Sequence, residues 1–280
     1  MNQMIDPRLL RAFIAVVDDG GFTRAADRLS MTQSTISQQI ARLEDQLGQP
    51  LIDRDARPVR MTVAGERLSG YARRILALQD EATLALGDRS GTMPVRIGLA
   101  DDILTPEMAG LFATFAAAHR HIRLDVTTGL SRGLTARYRD GEFDIVVVKE
   151  STPAPDCRVS LPEPIAWFET TAAGAWPDPL PMVTFPPGGL YREQMFARAE
   201  ADGRRWYVAF SGSSLQNVTT AVEAGLGISL LPVRAAAGHR MQRCPLFGSE
   251  QAMVVSLYAW ETQRPYGPLV AAMHDVLDSR

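Results

Sequence analysis

Thr32-Gln33-Ser34-Thr35-Ile36-Ser37-Gln38-Gln39-Ile40-Ala41-Arg42-Leu43-Glu44-Asp45-Gln46-Leu47-Gly48 reads as one helix with two unlike faces. Thr32 is placed to cap it and Gly48 to stop it. Ile36, Ile40, Leu43 and Leu47 recur at helical spacing and form an apolar stripe. The opposite face carries Gln33, Ser34, Thr35, Ser37, Gln38 and then Arg42. A helix face that meets only water is usually rich in Glu and Lys, which favour helix and keep a surface soluble. Short hydroxyl and amide side chains both donate and accept, as the base edges of a major groove demand. The pattern predicts a DNA-recognition helix, with contacts from Thr32, Gln33, Ser34, Thr35, Ser37, Gln38 and Arg42. On pattern alone, a plain helical bundle stays open as the alternative.

Upstream, Leu9, Leu10, Phe13, Ile14, Val16 and Val17 lie at helical spacing, with Pro7 suited to a first turn and Gly20-Gly21 to a stop. Thr23 is expected to cap a second helix through Ala25, Ala26 and Leu29, and the small Ala25-Ala26 pair lets it approach the third closely. Downstream, two short apolar runs between Leu51 and Met61 flank a charged turn, which predicts a small hairpin, or wing. Arg54, Arg57 and Arg60 are its candidates for phosphate contact, with Asp53 and Asp55 diluting the charge. The expected DNA-binding domain is 1–61.

Taken together, residues 8–76 resemble the DNA-binding domain of the LysR-type transcriptional regulators. The matching segments are Leu10-Arg11-Ala12-Phe13, Gly21-Phe22-Thr23-Arg24-Ala25-Ala26, Gln33 through Ile40, Leu43-Glu44, Leu47-Gly48, Leu51 through Arg57, Thr62-x-Ala64-Gly65 and Tyr71-Ala72-Arg73. The family usually has Phe where Ile52 stands and no acid at position 53.

Thr62 is expected to cap a long helix in a linker spanning 62–92. Ala64, Leu68, Tyr71, Ile75, Leu78, Ala82 and Ala85 form a heptad-like seam, which predicts dimerisation through Leu68, Tyr71, Ile75, Leu78 and Ala82; packing on the same chain is the alternative. The resemblance implies a homodimer or homotetramer on a pseudo-palindromic double-stranded DNA operator, with RNA polymerase as a candidate partner. Gly87 to Pro94 reads as a hinge.

From Val95 the pattern becomes alternating strands and helices: Val95–Leu99, Leu104–Ala118, Ile122–Thr127, Ser131–Arg139 and Phe143–Val148, then Leu180–Phe185, Tyr191–Ala201, Trp206–Phe210, Leu215–Ala224 and Ile228–Leu231. Two α/β units, each with a mostly parallel sheet, imply two subdomains and a cleft. The bounds are 93–162 with 263–280 for the first and 163–262 for the second, although both the last strand, near Val254–Ala259, and the final helix, Gly267–Leu277, are expected to return to the first. This half resembles the family's effector-binding domain, of periplasmic-binding-protein-like fold. The carrying segments are Arg96-Ile97-Gly98-Leu99, Gly141 through Ile145, and Ala221 through Pro232. Gly98 through Asp102 and Phe185 through Gly188 resemble the LrhA-like branch, which implies control of motility, surface or virulence traits. Relatives often carry Cys where Gly189 stands, so that thiol chemistry is excluded. The expected fold class is therefore α+β multidomain: a winged helix-turn-helix, a long linker helix and a two-subdomain α/β effector domain.

Ligands of such sheets sit beyond the carboxyl ends of strands, near helix N-termini. That rule selects Ala100, Asp101 and Asp102, then Thr128, Gly129 and Ser131, then Ser213 and Ser214, with Gly227 completing the candidate effector site. Helix capping is the alternative role for Asp101, Asp102, Ser213 and Ser214.

Composition excludes more than it selects. The 280 residues carry 29 basic and 32 acidic side chains, a net charge of -3, so any DNA-binding surface is local. Lys149 is the only lysine. Cys157 and Cys244 lack metal-ligand spacing and are expected to be buried free thiols, with a redox switch as the alternative. His119, His121, His239 and His274 have no evident nucleophile or metal partner, and His119 and His121 are expected in an exposed connection. No GxSxG, HExxH or P-loop motif occurs, so neither an enzyme nor a metal or cofactor is expected. Without a signal-type apolar core or a membrane span, the expected location is the cytoplasm.

Overall fold

The computed structural model describes residues 5–87, 92–260 and 266–280. The chain divides into two compact units, one of Met1–Met93 with Arg137–Glu142, the other of Pro94–Ala136 with Phe143–Arg280. The expected hinge residues Asp88 to Gly91 lie outside the described residues.

The first unit opens with α1, Pro7–Asp19, capped by the Asp6 carboxylate, which accepts from the Arg8 N–H at 2.9 Å. Gly20, left-handed at φ 62, ends it. Helix α2, Phe22–Leu29, starts before the expected cap: Gly21 holds the N-cap position and Thr23 lies inside the first turn. Gly21 has no side chain to cap the helix, and its carbonyl accepts the first helical bond from Ala25 N–H at 3.2 Å. Helix α3, Gln33–Leu47, is capped by Thr32 Oγ1, which accepts from Thr35 N–H at 3.2 Å, and is closed by left-handed Gly48. Leu10, Phe13, Ala25, Ile36, Ile40 and Leu43 are fully enclosed and form the core of this unit.

Strands β1, Ile52–Asp53, and β2, Arg60–Met61, pair antiparallel as the wing. Ile52 is buried in the core, so the departure from Phe leaves the hairpin anchored by an apolar side chain. Glu44 ties the wing to α3: Oε1 accepts from Leu51 and Ile52 N–H at 2.9 and 3.1 Å, while Oε2 accepts from Arg54 at 2.9 Å. Thr62 Oγ1 accepts from Gly65 N–H at 3.1 Å and so caps α4, Val63–Gly87, as expected. Gly65 permits the contact of α4 with the wing, since a Cβ there would lie 2.1 Å from the Leu51 carbonyl oxygen.

The second unit follows the order β3 Met93–Ala100, α5 Pro106–Ala118, β4 Ile122–Gly129, α6 Ser131–Arg139, β5 Ile145–Glu150, β6 Val159–Glu163, β7 Ile165–Thr170, β8 Leu180–Thr184, α7 Leu190–Ala201, β9 Trp206–Ser211, α8 Leu215–Glu223, β10 Ser229–Pro232, a 3-10 turn Val233–Ala236, β11 Met241–Arg243, β12 Met253–Ala259 and α9 Tyr266–Asp278. The first sheet runs β4-β3-β5-β12-β6. β3 and β5 are parallel, but β12 is antiparallel to both β5 and β6, so the sheet is mixed. β12 was enclosed by the expected bound at 262 in the second subdomain; its register with β5, Val254 opposite Glu150 through Ala259 opposite Ile145, puts it in the first.

In the second sheet β7 pairs antiparallel with β10 and β11, and β8 pairs parallel with β9. A parallel bridge from Met182 to Ile228 joins these two parts. β6, β7 and β11 were not expected. Pro162 lies within β6 and Pro164 between β6 and β7, where proline normally argues against a paired strand. β11 has only three residues.

Candidate nucleic-acid interface and effector cleft

Gln33, Ser34, Gln38 and Arg42 are exposed on α3, and Thr35 and Ser37 are half-buried on the same helix. Ile36, Ile40 and Leu43 turn inward, so the amphipathic pattern decides which face remains available. Thr32 is exposed, but its Oγ1 is occupied by the cap and lies 2.8 Å from both Ser34 Oγ and Thr35 Oγ1. Arg57 and Arg60 are exposed on the wing. Arg54 is exposed but shares its guanidinium with Glu44 and stands 5.8 Å from the Phe22 ring centroid.

The seam of α4 divides. Ala64 and Leu68 pack on their own core. Tyr71, Ile75 and Leu78 are 61%, 38% and 45% exposed, and Ala82 is exposed too. The Ala85 side chain lies outside the described ones.

The cleft is built at the carboxyl ends of β3, β4 and β5, facing α7 and α8. A cavity of about 50 Å3 there is lined by Ala100, Asp101, Asp102, Gly129 and Ser131 of the expected set. Lys149, Phe185, Tyr191 and Leu215 complete its chemistry. Thr128, Ser213, Ser214 and Gly227 are not in its lining. Ser214 caps α8, accepting from Asn217 N–H at 3.2 Å, while Thr128 and Ser213 are exposed. Gly227 serves close strand approach: a Cβ there would meet the Pro181 carbonyl oxygen at 2.6 Å.

Among the described residues, two of the links across the cleft lie outside its floor. Asp101 Oδ2 accepts from the Leu215 N–H at the start of α8. Arg132 donates to both carboxylate oxygens of Glu193, at 2.8 and 2.6 Å.

An ion network forms the cleft floor. Lys149, 4% exposed, donates to Asp102 Oδ2 at 2.5 Å and lies 3.6 Å from Glu163 Oε2. Arg234 donates to Asp102 Oδ2 and, through Nε, to Glu163 Oε1 at 2.8 Å. Burial opposes the charge of Asp102, but Lys149 and Arg234 outweigh it and hold its carboxyl below the usual carboxylate range. Burial also lowers the Lys149 ammonium pKa, against the pull of Asp102 and Glu163. The Tyr191 hydroxyl is buried with no hydrogen-bond partner among the described residues, and burial raises its pKa well above the ordinary phenol value.

Lys149, Glu163, Tyr191 and Arg234 were missed in the sequence. A signal existed for one of them: the sole lysine follows Ile145-Val146-Val147-Val148, an apolar run in which an unpaired ammonium is costly. Cys244 is buried, and burial pushes its thiol up to about 12. Cys157 is only half-buried, unlike the expectation, and donates to the Val159 carbonyl at 2.9 Å. His119 is half-buried, its ring 4.4 Å from that of Phe115, while His121 is exposed. Among the described residues, no group of three or more His, Cys, Asp or Glu side chains is arranged to hold a metal, and no helix is long and apolar enough to cross a membrane.

A winged helix-turn-helix in one chain with a cleft-bearing two-sheet domain defines a ligand-responsive DNA-binding regulator. The chain belongs to the LysR family of bacterial transcriptional regulators. Residues 7–66 match the family "Bacterial regulatory helix-turn-helix protein, lysR family", and residues 89–280 match "LysR substrate binding domain". It is similar to the transcriptional regulator BudR of Raoultella terrigena, 30% identical over 247 residues, covering 80% of this chain and 83% of that one. It is also similar to DgdR of Burkholderia cepacia, 28% identical over 232 residues, covering 82% and 79%. Among solved structures, the full-length LysG of Corynebacterium glutamicum, described with bound effector Arg, aligns over 98% of this chain and 99% of its own at 22% identity, with a TM-score of 0.60. ArgP of Mycobacterium tuberculosis aligns over 99% and 97% at 24% identity, with a TM-score of 0.56. These two likenesses establish the shared fold.

Proposed function

We propose that this regulator acts as a dimer, reads duplex DNA through α3 and its wing, and takes a small polar effector in the cleft cavity. Gln33, Ser34, Ser37, Gln38 and Arg42 meet base edges or adjacent phosphates, and Arg57 and Arg60 meet the backbone. Thr32 and Thr35 chiefly set the start of the helix. The exposed Tyr71, Ile75, Leu78 and Ala82 stripe supports pairing with a second copy, which would present two recognition helices to a pseudo-palindromic site. The protein performs no catalysis in this reading and works on chromosomal DNA in the cytoplasm.

The buried, unpartnered Tyr191 hydroxyl in the cavity wall carries the effector reading. A buried polar group without a partner is costly, and a bound molecule offering a hydrogen bond removes that cost. The ions of the wall are already matched, Asp101 to the α8 N-terminus and Asp102 to Lys149 and Arg234, so a neutral hydrogen-bonding group suits Tyr191 better than a further charge. Gel shifts on the DNA upstream of its own gene, at fixed salt, test the first half. Gln38→Ala and Arg42→Ala are each expected to lose about 1–3 kcal/mol of specific binding. Wild-type binding by both would remove α3 as the reading element. Calorimetry with metabolite pools tests the second half: binding that Tyr191→Phe leaves unchanged would refute the role of that hydroxyl.

A further inference from the structure

The cleft cavity, of about 50 Å3, has room for about three to five water-sized groups. Most of its wall is apolar, from Ala100, Leu130, Phe185, Leu190 and Leu215. We propose that its effector is a small uncharged primary carboxamide on a short aliphatic body, with the carbonyl held by the Tyr191 hydroxyl and the NH2 group by the free oxygens of Asp101 and Asp102. This rests on the cleft reading above and names the class of ligand for it.

One side of the cavity donates. Gly189 holds the N-cap position of α7 and gives its first N–H groups no side-chain cap, and Gly189, Leu190 and Tyr191 all line the cavity. Tyr191 is 6% exposed, and its hydroxyl has no partner among the described residues. Burial raises the pKa of that phenol well above the ordinary value, so it stays protonated and asks for an acceptor. The other side accepts. Asp102 Oδ2 takes both Lys149 and Arg234, and Asp101 Oδ2 takes the Leu215 N–H. Among the described residues, Oδ1 of each aspartate has no donor.

Charge excludes the alternatives. In the wall, Asp101 and Asp102 face a single cation, Lys149, which is already bonded to Asp102. Asp102 and then Glu163 weigh more on the Tyr191 hydroxyl than Arg234 and Arg280 do, so the field there opposes a further negative charge. A carboxylate would also bring no proton to the aspartate oxygens. An ammonium ion has no lone pair to accept from Tyr191 and would stand beside Lys149. A primary carboxamide is neutral, accepts at its oxygen and donates from its nitrogen, and hydrogen bonds to a carboxylate are the stronger kind. Its aliphatic body gains by covering the leucine and phenylalanine wall.

The test is a ligand-observed NMR titration of the full chain with three probes of equal size: propanamide, propanoate and 2-butanone. Propanamide is expected to bind about tenfold more tightly than propanoate, and about fivefold more tightly than 2-butanone, which accepts but cannot donate. Tyr191→Phe should weaken propanamide about fivefold or more, and Leu130→Phe, which fills the cavity from a half-buried position, should abolish its binding; both should retain the melting profile. Propanoate that binds as tightly as propanamide, yet is weakened by Tyr191→Phe, overturns the carboxamide class and leaves the cleft reading standing. Equal binding of 2-butanone and propanamide, or binding of none of the three, also overturns the class. Propanamide binding that neither variant weakens overturns the class and its seat in the cleft together.

Discussion

The Asp101 side chain accepts a hydrogen bond at 3.0 Å from the backbone N–H of Leu215, 114 positions further along the chain. Leu215 begins α8, where free N–H groups and the helix dipole favour a negative charge. The protein's own carboxylate occupies a place that a free anion would otherwise take. Asp101→Ala is expected to cost about 1 kcal/mol and to broaden the distance distribution across the cleft in small-angle scattering. Asp101→Asn, which keeps an acceptor and loses the charge, should recover part of both. An unchanged distribution in the alanine variant would mean that the bond does not help hold the cleft closed.

Arg132 and Glu193 form the second link but are more than half exposed, so their pairing is screened by water and salt. A double-mutant cycle with alanine at both positions should give a coupling below about 1 kcal/mol, falling as salt is added. A larger, salt-insensitive coupling would show that the pair is shielded from water in solution.

Lys149 sits in a different regime. Lys149→Met leaves Asp102 and Glu163 with less counter-charge in a buried place, and a loss of about 3–5 kcal/mol is expected in thermal or denaturant unfolding. The double variant Lys149→Met with Glu163→Gln should recover much of that, since it removes one of the uncompensated charges. If the single variant unfolds like wild type, the network is better hydrated than its enclosure indicates.

Glu223 supplies a pH dependence. Its hydrogen bond with His239, then those from Arg240, lower its pKa from 4.5 to about 2. A carboxylate whose folded pKa is depressed stabilises the fold above its unfolded pKa and loses that contribution as pH falls through the folded one. The window is pH 4.5 down to about 2. Melting temperature against pH should therefore fall less steeply in that window for Glu223→Gln than for wild type. Parallel curves would show that the His239 and Arg240 bonds do not persist in solution.

On the wing, Arg57→Ala and Arg60→Ala should weaken DNA binding alike on specific and random sequences and each reduce the salt slope by about one. Arg54→Ala should differ, because its partner Glu44 also holds the Leu51 and Ile52 backbone. That variant is expected to lower the melting temperature as well as the affinity. Sequence-dependent losses from Arg57 or Arg60 would instead place those side chains against base edges.

The helix-turn-helix was legible because its information is local. The Thr32 cap, the Gly48 stop and the Ile36, Ile40 and Leu43 part of the stripe lie within seventeen consecutive positions and are observed as read, whereas Leu47, expected in the same stripe, is exposed at the end of the helix. The strand–helix alternation of the second unit was equally readable, and Asp101, Asp102 and Ser131 fell into the cleft lining through the rule for carboxyl ends of strands. The cleft floor was not readable. Asp102, Lys149, Glu163 and Arg234 come from four separate segments, and no spacing announces their meeting. β6 and β7 were hidden for the opposite reason: Pro162 within β6 and Pro164 just before β7 give a local signal against strand that tertiary pairing with β12, β10 and β11 overrides.

The solitary lysine has a practical consequence. An amine-reactive ester finds only one side-chain target in this chain, and that amine lies on the cleft floor, locked to Asp102. Its acylation rate is then set by how often the two halves part, in the way that amide exchange reports local opening. A ligand that closes the cleft should slow the labelling and a variant that loosens it should speed it, so the protein carries its own chemical clock for any opening at the cleft floor.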